Sequence, residues 1–505
     1  MWKWTFKMTK KVTNIAIIGG GTGLTSAWAL ENQQKFHVTV FEENDRLGGH
    51  IHSIKVNNVI LEGGAEFIGP PTLYPNVHRL FQYLGVALDQ FELNMDFDDL
   101  KQKDHIVLPP LYHTSSGRSE DTSSILYTLS CGLFGKRRKQ NETRVSVDTL
   151  LTEMYNLLEM NHLIMDARNK LLHPDNLITL EQFIKEFKEK CVHTLSPIDK
   201  FAEEFLYPLI ASGWGVSIET IKTFGAHYAM NYLAAGMNWF DAPEGLSSYI
   251  DRMVAQCTNT QFNANTAIKK LIPITIDGKI KYQLLKRDGT FVCDATGSPM
   301  IYDDVVISTP AYVTSELLSG IESNTIKVLR EKLANVTYYD TTVVFHQDPE
   351  YLSPYRTVVH SRFDGAQSAN TMCKPWKFNN EETPIMKTWV LPGQAMPKNV
   401  LREVHYKHPV MDKNYYEAQQ ALHAAQGEAG LWHGGILAGF NDSHESGITA
   451  ALQVAAQLNH REHCLHKNER LALFPNLVDS VLSPKLSTGR VVEVEGVVSS
   501  SMSYT

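Results

Sequence analysis

The chain has 505 residues, more than one hydrophobic core usually serves, so we expect two domains. Hydrophobic residues make up 43% and charged residues 20%, which excludes a disordered or fibrous protein. A formal net charge of −8 offers no broad basic surface for a phosphate backbone, so nucleic acid is not an expected partner.

The cysteines give no sign of a metal or disulfide framework. The six are scattered and form no C-x-x-C pair, so we expect reduced thiols. The first fifteen residues lack the apolar core of a signal peptide, and no run of eighteen apolar residues occurs that could span a membrane. These features predict a cytoplasmic protein.

The amino-terminal segment predicts a βαβ unit. Residues 14–20 form a short apolar run rich in β-branched residues, typical of a strand buried on both faces. Residues 24–30 predict a helix, and residues 37–41 a second strand. This order favours an α/β fold with a doubly wound parallel sheet.

Four glycines lie where the first strand meets the helix. Without Cβ atoms, Gly19, Gly20, Gly21 and Gly23 would let a pyrophosphate approach the main chain and the helix amides. The spacing departs from G-x-G-x-x-G, because Leu24 falls in the third place if Gly19 is the first, and Ile18 falls in the first if Gly23 is the third. On this segment alone, which includes Thr22, a plain tight turn is equally consistent.

Two acidic residues end the second strand. Glu42, followed by Glu43, stands about twenty residues after the glycines, where a carboxylate can accept the hydroxyls of an adenosine ribose. The alternative is a solvated strand end. Together with the glycines, this carboxylate favours binding of a dinucleotide with an unphosphorylated ribose.

A second glycine pair gives a more specific indication. Residues 38–49, which end in Arg46-Leu47-Gly48-Gly49, resemble the flavin amine oxidase, protoporphyrinogen oxidase and phytoene desaturase superfamily. The resemblance implies FAD as cofactor, with Arg46, Gly48 and Gly49 closing over its pyrophosphate. Residues 62–68 are similar to the segment beneath the isoalloxazine ring, which assigns Gly64, Ala65, Glu66 and Phe67 to the flavin.

Later segments extend the resemblance. Residues 265–268 resemble the strand that packs on the adenine, which implies roles for Ala267 and Ile268, and residues 304–310 resemble the next strand of that domain. Residues 431–435 and 443–448 match the closing motif, in which a helix N-terminus points at the flavin pyrimidine. Gly434, Glu445 and Ile448 are assigned to the cofactor on that basis.

Most of residues 14–459 is similar to a bacterial group of predicted NAD/FAD-binding, amine-oxidase-like proteins. The markers are residues 48–52, 207–214, 408–410 and 444–445. The chain departs from the pattern in extra residues before His444, in residues 112–145, and after residue 470.

The resemblance implies a Rossmann-type FAD-binding domain built from discontinuous segments and an α+β substrate domain with a large helical part. Residues 14–100, 255–325 and 427–465 are assigned to the FAD domain. Residues 101–254 and 326–426 are assigned to the substrate domain, and residues 466–505 remain unassigned. Amphipathic stretches at 147–165 and 180–187 predict the helical part, and Thr179 with Gln182 predicts a capping box.

The substrate is less well indicated. True amine oxidases place a lysine near flavin N5 through a water, and an ungapped match puts Thr341 at that position. His444 and Trp214 are the candidate catalytic residues, as side chains expected to face the flavin. His50 and His52 have no third ligand in sight, so no metal is predicted.

Three functions remain open. The first is an FAD-dependent oxidoreductase that takes a hydride from a C–H or C–N bond of a small, fairly apolar molecule. The second is a flavin amine oxidase, and the third is a non-catalytic or partner-binding flavoprotein. Residues 125–139 join an apolar stretch to a basic cluster, which permits peripheral membrane contact, although a surface loop is the simpler interpretation.

Overall fold

The computed structural model describes most of the chain. The segment 125–139 and nearly all of the amphipathic stretch 147–165 lie outside the described residues. The described residues are 12–31, 35–101, 104–108, 159–160, 162–163, 177–190, 201–233, 238–378 and 383–482.

The first sheet has five parallel strands. Numbered in chain order among themselves, they stand side by side as 5-4-1-2-3, which is the doubly wound order. Its first strand is buried on both faces, as predicted, with Ile15 and Ile17 in one core and Ala16 and Ile18 in another. The strands, in their order across the sheet, are β18 (Leu431–His433), β12 (Asp304–Ile307), β1 (Thr13–Ile18), β2 (Phe36–Phe41) and β9 (Gln261–Asn263).

The strand order reverses between β1 and β12. In a doubly wound sheet, the chains leaving the carboxyl ends of such neighbours diverge to opposite faces and leave a crevice. Residue 19 follows β1 and residue 308 follows β12. The fold therefore places the glycine segment at the edge of the sheet where a ligand would bind.

The second sheet has seven strands, and their pairing is antiparallel except between β6 and β14. Helices pack on one face of it in a large apolar core. The strands in chain order are β6 (Met95–Asp99), β7 (Asp104–Leu108), β13 (Tyr338–His346), β14 (Val359–Phe363), β15 (Ser368–Met372), β16 (Met386–Val390) and β17 (Val400–Pro409).

Most of the rest of the described chain lies in three two-stranded ribbons and in the twelve α-helices whose bounds follow. The ribbons are β3 (Ser53–Val56) with β4 (Val59–Glu62), β5 (Asp89–Glu92) with β8 (Asn238–Asp241), and β10 (Ile268–Ile276) with β11 (Lys279–Lys286). The helices are α1 (Gly23–Leu30), α2 (Pro75–Leu84), α3 (Leu180–Lys190), α4 (Tyr207–Trp214), α5 (Ile218–Thr223), α6 (Ala226–Leu233), α7 (Ser247–Ala255), α8 (Ala311–Leu317), α9 (Asn324–Ala334), α10 (Lys413–Ala424), α11 (His444–Arg461) and α12 (Pro475–Leu482).

The predicted capping box at the start of α3 is confirmed. The Thr179 hydroxyl accepts a bond from the Gln182 amide at 3.1 Å, and the Gln182 side chain accepts one from the Thr179 amide at 3.0 Å. These bonds satisfy main-chain amides that a helix start leaves without partners.

The expected strand over residues 265–268 is wrong for residues 265–267, whereas packing of this segment on the adenine stays a prediction. The outer strand of the first sheet is β9, and the chain leaves it before residue 265. Asn265 has a positive φ of 54°, which turns the chain, and the Thr266 amide then donates to the Glu42 carbonyl. Ile268 begins β10 instead.

The residue limits of the two predicted domains stay a prediction. Three segments, however, pack with a sheet other than the one to which the predicted limits assign them, or were left unassigned. β6 belongs to the second sheet although residues 14–100 were assigned with the first. Helix α7 and the tail residues Leu471 and Phe474 pack into the core of the first sheet. In the part of the chain that the structure describes, no helix is both long and apolar enough to cross a lipid bilayer.

We expect Asp304 to anchor β12. Its carboxylate, 1% exposed, accepts two bonds of 2.6 Å from Arg461 and one of 2.9 Å from the Trp432 indole. Asp304→Ala should lower the free energy of unfolding by about 2 kcal/mol, because a buried indole N–H loses its partner. Urea unfolding measures this. Asp340→Ala, which breaks the exposed pair with Lys407, should cost less than about 1 kcal/mol, and equal losses would contradict the anchor.

Candidate cofactor and substrate site

One large cavity lies at the carboxyl ends of the first sheet and extends towards the second. Its volume is about 2000 Å³, and residues of both sheets line it. Pockets for drug-sized ligands occupy about 300–1,000 Å³. The cavity therefore has room for a dinucleotide and for a further molecule.

Packing within the protein favours glycine at three positions of the first loop, most strongly at Gly19. A Cβ on Gly19, whose φ is +104°, would lie 2.4 Å from the Ser308 carbonyl oxygen. A Cβ on Gly20 would lie 2.5 Å from the Leu47 side chain, and one on Gly23 would lie 2.8 Å from Ile17. These glycines bring the strand ends and the second glycine pair together.

Gly21 differs from its neighbours. A Cβ there would come no closer than 3.6 Å to any protein atom outside the neighbouring residues, the nearest being the Cα of Gly49, and φ is not positive. Both glycines line the cavity. Packing of the protein does not explain a glycine at 21, whereas a cradle for the pyrophosphate of a dinucleotide does.

Glu42 holds the glycine loop and faces the cavity. One carboxylate oxygen accepts from the Gly20 amide at 2.7 Å, and the other accepts from the Asn44 main-chain and side-chain amides at 2.9 and 2.6 Å. Each oxygen can accept more than one bond, so a ribose hydroxyl remains compatible with this arrangement. The neighbouring Glu43 pairs with Arg287 at the surface.

Arg46 fixes the second glycine pair. Its guanidinium donates to the Gly49 and Ile51 carbonyl oxygens at 2.7 and 3.2 Å, and the Gly48 amide donates to Gly20 at 2.8 Å. Gly48 and Gly49 have φ values of +111° and +60°, which favour glycine. The two glycine segments thus form one continuous wall of the cavity.

The segment 64–67 forms a second wall. The Ala65 amide donates to the His50 carbonyl at 3.0 Å, and a Cβ on Gly64 would lie 1.9 Å from that same oxygen. Only glycine fits this position. All four residues of the segment line the cavity, as expected for a main chain that supports a flat ring.

Glu66 of this segment belongs to a buried network of ion pairs. Glu66 pairs with Lys374 at 2.9 Å and with Lys387 at 2.5 Å, and Lys374 also pairs with Asp241 at 2.6 Å. Burial favours a raised pKa for Glu66, but the two ammonium groups together hold it below its ordinary value. Burial lowers the pKa of Lys387 in spite of its pairing with Glu66.

The start of α11 lies at the same cavity. The Ser443 hydroxyl caps the helix by accepting from the Ser446 amide. His444 bonds to the Tyr249 hydroxyl at 2.8 Å through Nε2, and its buried Nδ1 has no hydrogen-bond partner among the described residues. Glu445 accepts from the main-chain amides of Asn76 and Val77 and so caps α2.

Trp214 belongs to a polar group that the sequence did not indicate. Its indole donates to the Asp442 carboxylate at 2.7 Å, and its carbonyl accepts from the Tyr339 hydroxyl at 2.9 Å. Burial raises the pKa of Asp442 although the bond from Trp214 opposes this. Asp442 can therefore hold a proton beside the cavity at a pH where an exposed aspartate is ionised.

The predicted cofactor residues divide into two groups. Seven of them do not line the cavity, and they are Gly20, Gly23, Leu24, Leu47, Ala267, Gly434 and Ile448. The others line the cavity together with both catalytic candidates, and they are Gly19, Gly21, Thr22, Glu42, Glu43, Arg46, Gly48, Gly49, Gly64, Ala65, Glu66, Phe67, Ile268, Trp214, His444 and Glu445. Their contacts with a cofactor stay a prediction.

These features define a class: a dinucleotide-binding fold with an FAD-sized crevice and a second sheet over it. Residues 22–391 match the family of flavin containing amine oxidoreductases. Because the match covers well over half of the chain, the protein belongs to that family. The members of this family are FAD-dependent oxidoreductases, and the cofactor of this protein is FAD.

Individual relatives are more distant. The chain is 24% identical over 305 residues to a phytoene desaturase of Cercospora nicotianae, covering 56% of this chain and 44% of that protein. It is 30% identical over 129 residues to the human peroxisomal N(1)-acetyl-spermine/spermidine oxidase, a quarter of each chain. It thus spans less than half the length of these curated relatives.

A solved structure shows the same fold. The crystal structure of a putative protoporphyrinogen oxidase from Exiguobacterium sp. 255-15 has a TM-score of 0.56 at 13% identity, covering 89% of this chain and 99% of that one. Together with the family match, this confirms the prediction of a discontinuous, doubly wound FAD fold.

The variant Gly21→Ala should distinguish a role of Gly21 in binding the pyrophosphate from a role in packing of the protein. Since the added methyl meets no protein atom closer than 3.6 Å, the thermal midpoint of the FAD-free protein should stay unchanged, while the Kd for FAD should rise about tenfold or more. Fluorescence titration with FAD measures the Kd. Gly320→Ala, where the methyl meets chiefly the movable end of Lys270, should leave it unchanged. An unaltered Kd in Gly21→Ala would contradict the cradle.

We expect stability to fall in mild acid. Burial lowers the pKa of His50 and His444 to about 4 and that of His408 to about 3. In the unfolded chain these histidines take up protons near pH 6.5, whereas in the folded chain they stay neutral. Their contribution to the free energy of unfolding is therefore complete above pH 6.5 and is lost as the pH falls towards 4. Each histidine contributes at most about 1.4 kcal/mol per pH unit.

Urea unfolding at pH 7 and pH 5 measures the loss. His444→Gln should reduce the difference between the two values, because one buried titrating group is gone. His466→Gln, which removes an exposed histidine, should leave the difference unchanged. The same pH dependence in both variants would count against a neutral, buried His444.

Proposed function

We propose that this chain is an FAD-dependent oxidoreductase that takes a hydride from a C–H bond of a small, fairly apolar molecule. The observation that carries the proposal is the lining of the cavity where helices α3, α4 and α6 meet the second sheet. Aromatic and aliphatic side chains dominate there, among them Phe183, Tyr228, Val343, Met372 and Trp389. Such a lining supports an apolar substrate, because apolar surface is removed from water on binding.

Bound FAD would supply the hydride acceptor. The chain itself orients and shields the reacting groups. Segment 64–67 offers a flat main-chain support, and α11 directs its N-terminus into the cavity, where helix amides favour negative charge. Trp214, held by Asp442 and by the Tyr339 hydroxyl, would fix the position of the substrate.

Amine oxidation is the second candidate, and Lys387 is the observation that favours it. Thr341 is buried, and its hydroxyl is no base, so it cannot take the part of a lysine amine. Lys387, however, lies on the neighbouring strand and donates to the Gly64 carbonyl at 2.9 Å. The resemblance to a human spermine/spermidine oxidase over a quarter of the chain supports the same alternative.

A non-catalytic flavoprotein stays the third alternative. An extended cavity that continues beyond the glycine walls argues against it, since a structural flavin needs no such space. The cytoplasm remains the proposed location. The described cysteines, Cys257, Cys293, Cys373 and Cys464, are all free, which fits a reducing compartment.

The test is anaerobic mixing of the FAD-loaded protein with one substrate class at a time, followed by flavin absorbance. Unsaturated fatty acids and isoprenoid alcohols should bleach the flavin, and spermidine should not. Bleaching by spermidine alone would establish the amine oxidase alternative. A flavin that dithionite reduces but neither class bleaches would contradict the substrate proposal and favour the non-catalytic alternative.

Ala226→Phe tests the apolar arm of the cavity. Ala226 starts α6 and lines the cavity, so a phenyl ring there should occupy substrate space and slow bleaching at least about tenfold. FAD content should stay unchanged, because the glycine walls are untouched. Ala226→Ser, which adds one atom, is the matched control. Equal bleaching rates in both variants would place substrate elsewhere.

A further inference from the structure

A cluster of two histidines and two aspartates lies on the second sheet, outside the cavity. Asp96 and Asp98 are on β6, His105 is opposite Asp98 on β7, and His360 is opposite Asp96 on β14. Residues that alternate along a strand point to opposite faces. Ser361 bonds to α4 at the core, so His360 points to the other face of the sheet.

The four side chains converge. His105 Nδ1 lies 2.9 Å from an Asp96 oxygen, and His360 Nε2 lies 3.6 Å from the other Asp96 oxygen. Asp98 stands against both rings, 3.3 Å from His360 Nε2 and 3.8 Å from His105 Nε2. The Asp96 side chain is fully buried and that of His360 is 5% exposed. Two carboxylates are thus held together largely away from water.

One ring of the cluster is fixed by a hydrogen bond. His360 Nδ1 lies 2.9 Å from the Tyr351 carbonyl, which can only accept, so Nδ1 carries a hydrogen. This leaves Nε2, which faces the two carboxylates, as the ring nitrogen that can bind a metal ion. Arg362 lies at the edge of the cluster, with Nε 4.0 Å from Asp98.

The spacing suits a transition metal. Ligand atoms of Asp96, His105 and His360 all lie within 4.8 Å of one another. Tetrahedral zinc with bonds of about 2.1 Å separates its ligands by about 3.4 Å, close to the 3.6 Å between His360 Nε2 and Asp96. The 2.9 Å between His105 Nδ1 and Asp96 is a direct hydrogen bond, which the ion would replace. The Tyr351 carbonyl and the Ser353 hydroxyl, which donates to Asp96 at 2.7 Å, orient the donors as outer partners of metal ligands do.

We infer that Asp96, His105 and His360 bind a divalent transition metal ion, of which Zn²⁺ suits the donors best, and that Asp98 lies beside the ion. Two imidazoles exclude magnesium and calcium as preferred ions, because these prefer oxygen ligands. The ion joins a hairpin near residue 100 to a strand near residue 360. Val359, beside His360, lines the cavity, so the ion also stabilises the substrate wall.

The test uses the full-length, FAD-loaded protein. After treatment with a chelator and desalting, it receives equimolar ZnCl₂, and bound zinc and Tm are measured. We expect one zinc per chain and a rise in Tm of about 5 °C. His360→Gln should abolish both effects, and the exposed His466→Gln should abolish neither.

No zinc retained by the wild-type protein, or equal retention in His360→Gln, would overturn the site. If His360→Gln does not fold, His105→Gln decides, since this side chain is 28% exposed and tolerates replacement more readily. Neither measurement involves flavin reduction. The zinc site and the proposed function can therefore fail independently.

Discussion

The structure depends on the close approach of main chains at the carboxyl ends of β1 and β12. Gly19 lies against the Ser308 carbonyl where a Cβ would be only 2.4 Å away, so the two strand ends can lie side by side. The Gly48 amide then bonds to Gly20, which brings the second glycine pair to the first. A side chain at position 19 would separate these segments and open the crevice that the cofactor needs.

The other half of the cavity depends on paired buried charge. Glu66 pairs with Lys374 and Lys387, and Asp241 pairs with Lys374 and Lys377. These groups come from segment 64–67, from a ribbon, and from the second sheet and its loops, so the network joins the elements that enclose the cavity. Removing one partner would leave an uncompensated buried charge, at a cost of about 3–5 kcal/mol.

Sequence patterns predicted much of the fold and of the cavity wall. The capping pair 179 and 182 acts within three residues of chain, and the glycines of 19–23 with the acid at 42 follow a spacing that can be read along one βαβ unit. Long-range pairs were not predictable. Trp214 meets Asp442 across 228 residues, and Asp442 by itself resembles an ordinary residue before a helix. The error at residues 265–267 has the same origin, since only the sheet shows where β9 pairs.

The pairing of β13 with β16 determines whether the second sheet carries a lysine comparable to that of true amine oxidases. Phe345 pairs with Lys387 and Val343 with Trp389, so Lys387 lies on the face of the sheet that also carries Thr341. Although position 341 holds a threonine, Lys387 therefore still places a lysine on that face of the sheet. Lys387 is nevertheless bound at 2.5 Å to Glu66, and a base must first give up such a partner. Hydride removal from a C–H bond does not require that step, which is why we place the apolar substrate before the amine.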